Sequence, residues 1–185
     1  MLRSLRPFAI VAAIALLGVV LARSAGIIGA AGQQTRISPH ESVTGTVDGA
    51  KLTVTYGRPS MRGRSIFGAL VPYDHVCCPG ADEATTLEST KPLRFGSIAV
   101  PPGPHTIWML PTSDVWSLVI SKEPSGFHTR YNPRADLGRV GMSKRSLATP
   151  VEQLTFSIDN NPTGGGVIVM SWEKTAVTAP FVVTP

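Results

Sequence analysis

Apolar and polar residues alternate with a period of two along most of this chain, which is the pattern of half-buried strands. Val43, Gly45 and Val47 fall on one side of the first run, and Thr44 and Thr46 on the other. Leu52, Val54 and Tyr56 alternate with Lys51, Thr53 and Thr55 in the second. Between them stands Asp48-Gly49, whose residues tolerate positive φ, so the two runs predict an antiparallel hairpin. Short strands are predicted over 84–89, 93–95, 98–100, 105–110, 115–121, 152–158, 167–174 and 176–183, with a weaker one over 137–142. Pro101-Pro102-Gly103-Pro104, Thr112-Ser113-Asp114 and residues 159–166 supply turns between them. Pro180 marks an edge or a bulge. Eight to ten short strands and no convincing helical period predict an all-β protein, a single antiparallel β-sandwich or partly closed barrel.

Residues 56–86 do not fit this pattern. Pro59, Gly63, Gly68, Pro72, Pro79 and Gly80 forbid a long helix or a central strand there, and only 66–70 predicts a short helical turn. The stretch still holds Ile66, Phe67, Leu70, Tyr73 and Val76, too apolar for a disordered linker. A long irregular segment of this kind in a compact domain is a place to look for function. It also concentrates the chemistry: Arg58, Arg62, Arg64, His75, Cys77, Cys78, Asp82 and Glu83.

The amino terminus reads as an export signal. Arg3 and Arg6 precede an apolar run over 8–22, shorter than the roughly 20 residues of a membrane span. Small residues follow, and cleavage after Gly32 would leave Gln33 first. The expectation is a leader over 1–32, or an uncleaved anchor, followed by a single β domain over 33–185 in the periplasm or outside the cell. Any membrane contact would then run through the N-terminal segment alone.

Charge changes meaning once that leader is set aside. Three of the seventeen basic residues, Arg3, Arg6 and Arg23, lie in it and no acid does, so the remainder carries fourteen basic against twelve acidic residues. That near balance, without a basic block, disfavours a nucleic-acid partner. A small molecule, a glycan or a protein remains the expected kind of ligand.

Arginine forks suit carboxylates. The arginines therefore either fold back onto Asp82 and Glu83 to pin the irregular stretch, or line a shallow anion or sugar site with them and His105. Adjacent cysteines cannot form an ordinary loop-closing disulfide, because neighbouring Cα atoms lie about 3.8 Å apart. Free thiols, a strained redox pair, intermolecular links, or metal ligands with His75 are the options. The spacing fits no familiar zinc arrangement, and no cofactor is expected. No nucleophile elbow, His-Glu-x-x-His pair or phosphate-binding loop is present. The leading expectation is a non-catalytic binding or interaction module. The alternatives are a hydrolase using Asp82 and Glu83 with His75 or His105, and a redox or metal protein using Cys77 and Cys78. Trp108, Trp116 and Trp172 are expected in the core rather than on a sugar-stacking platform.

Several motifs resemble a bacterial family known as domain of unknown function 2911. They are Arg58-Pro59-Ser60, Gly63-Arg64, Ile66-Phe67-Gly68, Leu70-Val71-Pro72-Tyr73, Gly80-Ala81 and Glu83-Ala84-Thr85. Pro102-Gly103, Leu110-Pro111, Trp116, Val119-Ile120, Lys122, Tyr131 and Trp172-Glu173 extend the resemblance across residues 38–177. It implies an exported, mostly β protein without an agreed activity. The chain departs from the family at Cys77-Cys78-Pro79, where members carry tryptophan, arginine and threonine, and at Asp82, where they carry asparagine.

Overall fold

The computed structural model describes residues 38–185; the leader expected over 1–32 lies outside them. Nine strands form one antiparallel sheet: β1 (His40–Val47), β2 (Ala50–Gly57), β3 (Thr86–Ser89), β4 (Leu93–Phe95), β5 (Ile98–Val100), β6 (Gly103–Leu110), β7 (Trp116–Ser121), β8 (Asp136–Asn160) and β9 (Gly166–Val183). Their order is β1-β2-β3-β6-β7-β8-β9-β4-β5, so the sheet has two free edges and is not closed. The all-β expectation holds, in the form of a curled, partly closed barrel.

The first hairpin forms as its turn dictates. Asp48 and Gly49 take φ of 47° and 74°, and the register runs from Val47↔Ala50 to His40↔Gly57. The C-terminal half departs from expectation. What alternation resolves as separate strands over 137–142 and 152–158 is one strand, β8, and those over 167–174 and 176–183 are one strand, β9. β8 pairs with β7 up to Met142 and with β9 from Ser143. Its register against β9 shifts between Ser146 and Val151 and again between Val151 and Thr155. These bulges absorb the polar, Pro150-containing stretch that hides the strand's continuity in sequence.

The curl lays the β1–β2 end on the far half of β8. Tyr56 and Phe156 meet edge to face with ring centroids 4.9 Å apart. Gly45 presses on Ile158: a Cβ there would lie 2.9 Å from the isoleucine Cγ2. The main core fills the concave side with Leu52, Val54, Ile107, Leu118, Ile120, Leu154 and Phe156, among others. A smaller cluster of Ala84, Trp108 and Val119 covers the opposite face of β6–β7. All three tryptophans are buried.

Candidate functional site

The irregular stretch is a strap with three attachments. The first seals a seam. Residues 152–154 of β8 lie in the gap between two pairings with β9, which frees their backbone. Met61 N donates to Glu152 O at 2.8 Å and Leu154 N to Pro59 O at 3.0 Å. Arg58 Nε donates to Leu154 O at 3.1 Å, and Tyr56 Oη accepts from Phe156 N at 3.3 Å. A buried strand edge with unpaired amides costs about 1–3 kcal/mol per group, so the segment from Tyr56 to Met61 is an edge cap.

The second attachment is a plug held by carboxylates. Ile66 is fully buried, and Phe67 packs edge to face on Trp116 with centroids 4.6 Å apart and on Trp172 at 6.1 Å. Fully burying a side chain such as Ile66 contributes about 1.5–3 kcal/mol, and the half-buried Phe67 adds a smaller share. Residues 66–70 are not the expected helical turn. Gly68, at φ +82°, donates from its N to Val71 O, and Val71 N returns to Ile66 O, closing a tight reversal. Glu152 Oε1 accepts from Arg62 N at 2.8 Å and Glu173 Oε2 from Phe67 N at 3.3 Å. Arg62 and Glu173 both sit at positive φ, 50° and 54°, so local strain gathers at this junction.

In the third attachment the strap passes to the other face of the sheet. Cys77 pairs with Met109 of β6 through two backbone bonds of 2.8 Å. Neighbouring strand residues point to opposite faces. Cys77 accordingly packs on the main core, while Cys78 joins Trp108 and Val119 in the smaller cluster. Cys78 Sγ accepts from Thr85 N at 3.3 Å. Both thiols are free. Burial, and secondarily the neighbouring Cys78, push the Cys77 thiol up to about 12, and burial raises Cys78 as well. The two half-buried thiols thus sit in separate clusters on opposite faces of the sheet. Among the described residues no three His, Cys, Asp or Glu side chains converge as a metal requires. His75 is turned to the Tyr73 carbonyl, its Nδ1 2.8 Å from that oxygen.

The charged residues do not meet as the sequence suggests. Arg58 Nη1 reaches both oxygens of Glu41, at 3.1 and 3.2 Å, and its Nη2 reaches Thr155 Oγ1. Arg64 stays on its own turn, bonding the Met61 and Ser60 carbonyls. The Arg62 side chain is exposed. Glu83 lies 3.4 Å from His40 Nδ1, and the Asp82 carbonyl receives the N and Nδ1 of His128. His40 and His128, which lack an evident partner in sequence, therefore flank the acids that His75 and His105 were expected to serve. His105 is buried on β6, its Nδ1 2.9 Å from Ser121 O and its Nε2 3.0 Å from Pro101 O. That is the setting of a structural histidine.

Sequence reasoning also missed a polar network beside Trp108. Tyr131 Oη donates to Asp136 Oδ2 at 2.6 Å and accepts from Arg139 Nη2 at 2.8 Å. Burial and the Asp136 carboxylate raise the phenol above its ordinary value, against the opposing pull of Arg139.

What remains available on the strap is its outer surface. Arg62 and Arg64 are exposed, as are Leu70 at 47% and Tyr73 at 38%. Leu70 and Tyr73 lie on a segment tied down on both sides of them. No curated protein and no solved structure matches the chain. The strap motifs lie inside a match over residues 38–181 to the family described as "Protein of unknown function (DUF2911)", and the chain belongs to that family.

Proposed function

We propose that this chain is exported to the periplasm or beyond, as a single domain over residues 33–185 behind a leader at 1–32. There it acts as a non-catalytic binding or interaction module. One observation carries the reading: Leu70 and Tyr73 stay exposed on a strap anchored on both sides of them, by Glu173 to Phe67 N and by Met109 to Cys77. Several of the residues that could do chemistry are otherwise occupied. Arg58 caps an edge, His105 lies between two carbonyls, and each thiol is packed in a separate cluster. A rigid scaffold presenting aromatic and aliphatic side chains suits a protein or glycan partner.

A photo-crosslinking residue placed at Leu70 in the host cell tests this. Adducts to one discrete partner from position 70, and none from Glu88 on the exposed side of β3, are the expected result. Equal labelling from both positions, or none from 70, removes the reading.

A hydrolytic alternative using Asp82 and Glu83 has one observation in its favour: Glu83 and His40 are 3.4 Å apart, just beyond hydrogen-bond reach and within what an acid–base pair shows before substrate binds. It requires a turnover that H40Q and E83Q each abolish without changing the melting temperature.

A further inference from the structure

A second candidate site lies away from the strap, where the β8–β9 hairpin folds back on the end of β9. Gly165 takes φ +71°, and a Cβ there would lie 2.1 Å from the Phe181 carbonyl oxygen, so the turn is seated tightly on the strand. Asn161 organises it. Its Oδ1 accepts from Thr163 N at 3.2 Å and from Thr163 Oγ1 at 3.0 Å. Its backbone N donates to Gly165 O and its O accepts from Gly164 N. All of these bonds use the backbone or the amide oxygen, so the Nδ2 donors of Asn161 have no partner among the described residues.

A shallow cleft of about 250 Å³ separates this turn from Arg94 on β4. Arg94 Nη1 donates to Gly96 O at 2.9 Å, which fixes the guanidinium. The Nε and Nη2 edge, the side of the fork that grips a carboxylate with two parallel bonds, makes no bond to the described residues. Pro180 and Val182 give the cleft an apolar side, the Phe181 ring being turned into the core, and none of its lining residues is acidic. A Cβ at Gly164 would meet nothing within 4 Å, so the wall is open there.

We propose that this cleft binds a small carboxylate. The Nε–Nη2 edge of Arg94 takes the carboxylate, Asn161 Nδ2 supplies a further donor, and the ligand body lies against Pro180 and Val182. One cation with no acid in the lining favours an anion, and the planar fork favours a carboxylate over a halide. The volume suits a ligand of about the size of one sugar ring or a dipeptide. Both an acidic sugar and a peptide C-terminus offer that chemistry.

The test titrates the full chain with D-galacturonate and with N-acetyl-alanyl-alanine, each beside its neutral counterpart, D-galactose or the dipeptide amide. The readout is the NMR shift of the Gly164 and Gly165 amides and of Arg94 Nε. One acid is expected to saturate and move these resonances while its neutral counterpart does not, and that acid identifies the source. R94Q should weaken binding about tenfold or more with the melting temperature unchanged, since Arg94 is exposed. R94K, which keeps the charge without the fork, should fall between. Failure of both acids to saturate, equal binding of a neutral counterpart, or undiminished binding by R94Q overturns the proposal. None of these results bears on the strap, which shares no residue with the cleft.

Discussion

Arg58 Nε bonds the backbone oxygen of Leu154 at 3.1 Å, joining the end of β2 to the middle of β8 across the seam of the barrel. The same guanidinium holds Glu41 and Thr155, so β1 and β8 meet on the side chain that follows β2. R58A should destabilise the chain by about 2 kcal/mol, because it removes charge-assisted bonds and leaves the Leu154 carbonyl without its donor. R58K should recover little, since an ammonium cannot reach three acceptors in a plane. E41Q should cost less than about 1 kcal/mol, its carboxylate being 43% exposed. Urea unfolding of the three variants checks the order.

Gly57 lies next to that arginine, and its lack of a side chain lets the strap return. A Cβ there would sit 2.1 Å from the Ala81 carbonyl oxygen, a backbone atom that cannot swing aside as a side chain can. G57A should therefore destabilise by about 3 kcal/mol or more. G63A probes a different cost: no atom lies within 4 Å, and only the φ of +72° opposes it. It should lose about 1 kcal/mol. Equal losses in thermal melts would show that the Gly57 approach is not tight.

The two carboxylates at the β8–β9 bulge set how firmly the plug is held. With Glu152 and Glu173 both changed to alanine, Arg62 N and Phe67 N lose their acceptors. If each bond is worth about 1 kcal/mol, opening of the strap rises roughly 30-fold. Trypsin cleavage after Arg62 or Arg64 measures it directly. An unchanged rate would place the grip in the Ile66 and Phe67 side chains alone.

The fold class was legible because alternation and Asp48-Gly49 are local signals. The continuity of β8 was not, since its bulged middle is polar and contains Pro150. Proximity in sequence misdirected the pairing of Arg58. The β1–β2 register sets Glu41 opposite Tyr56, two residues short of the arginine, while Asp82 and Glu83 return near His128 and His40 instead. Placing Cys77 and Cys78 on opposite faces needed a strand reading through them, which the flanking Pro79 and Gly80 obscured. The strap was visible as an exception to the pattern. Its attachments were not, because most are backbone bonds to distant strands.

The thiols give a pH prediction whose sign follows from their burial. An unfolded chain releases the Cys77 proton near its ordinary value of 9.0, and the folded chain holds it up to about 12. Below pH 9 both states are protonated and the thiol's contribution is fully present. As pH rises from 9 toward 12 the unfolded state loses its proton first, and stability falls by about 1.4 kcal/mol per pH unit from this group. Cys78 is raised by burial too and acts in the same direction. C77A should cost stability at pH 7, where it removes a packed side chain, yet flatten the alkaline decline between pH 9 and 11. Urea midpoints of both proteins at pH 7, 9 and 11 decide it. Parallel curves would mean that the Cys77 thiol titrates in the folded chain as it does in the unfolded one.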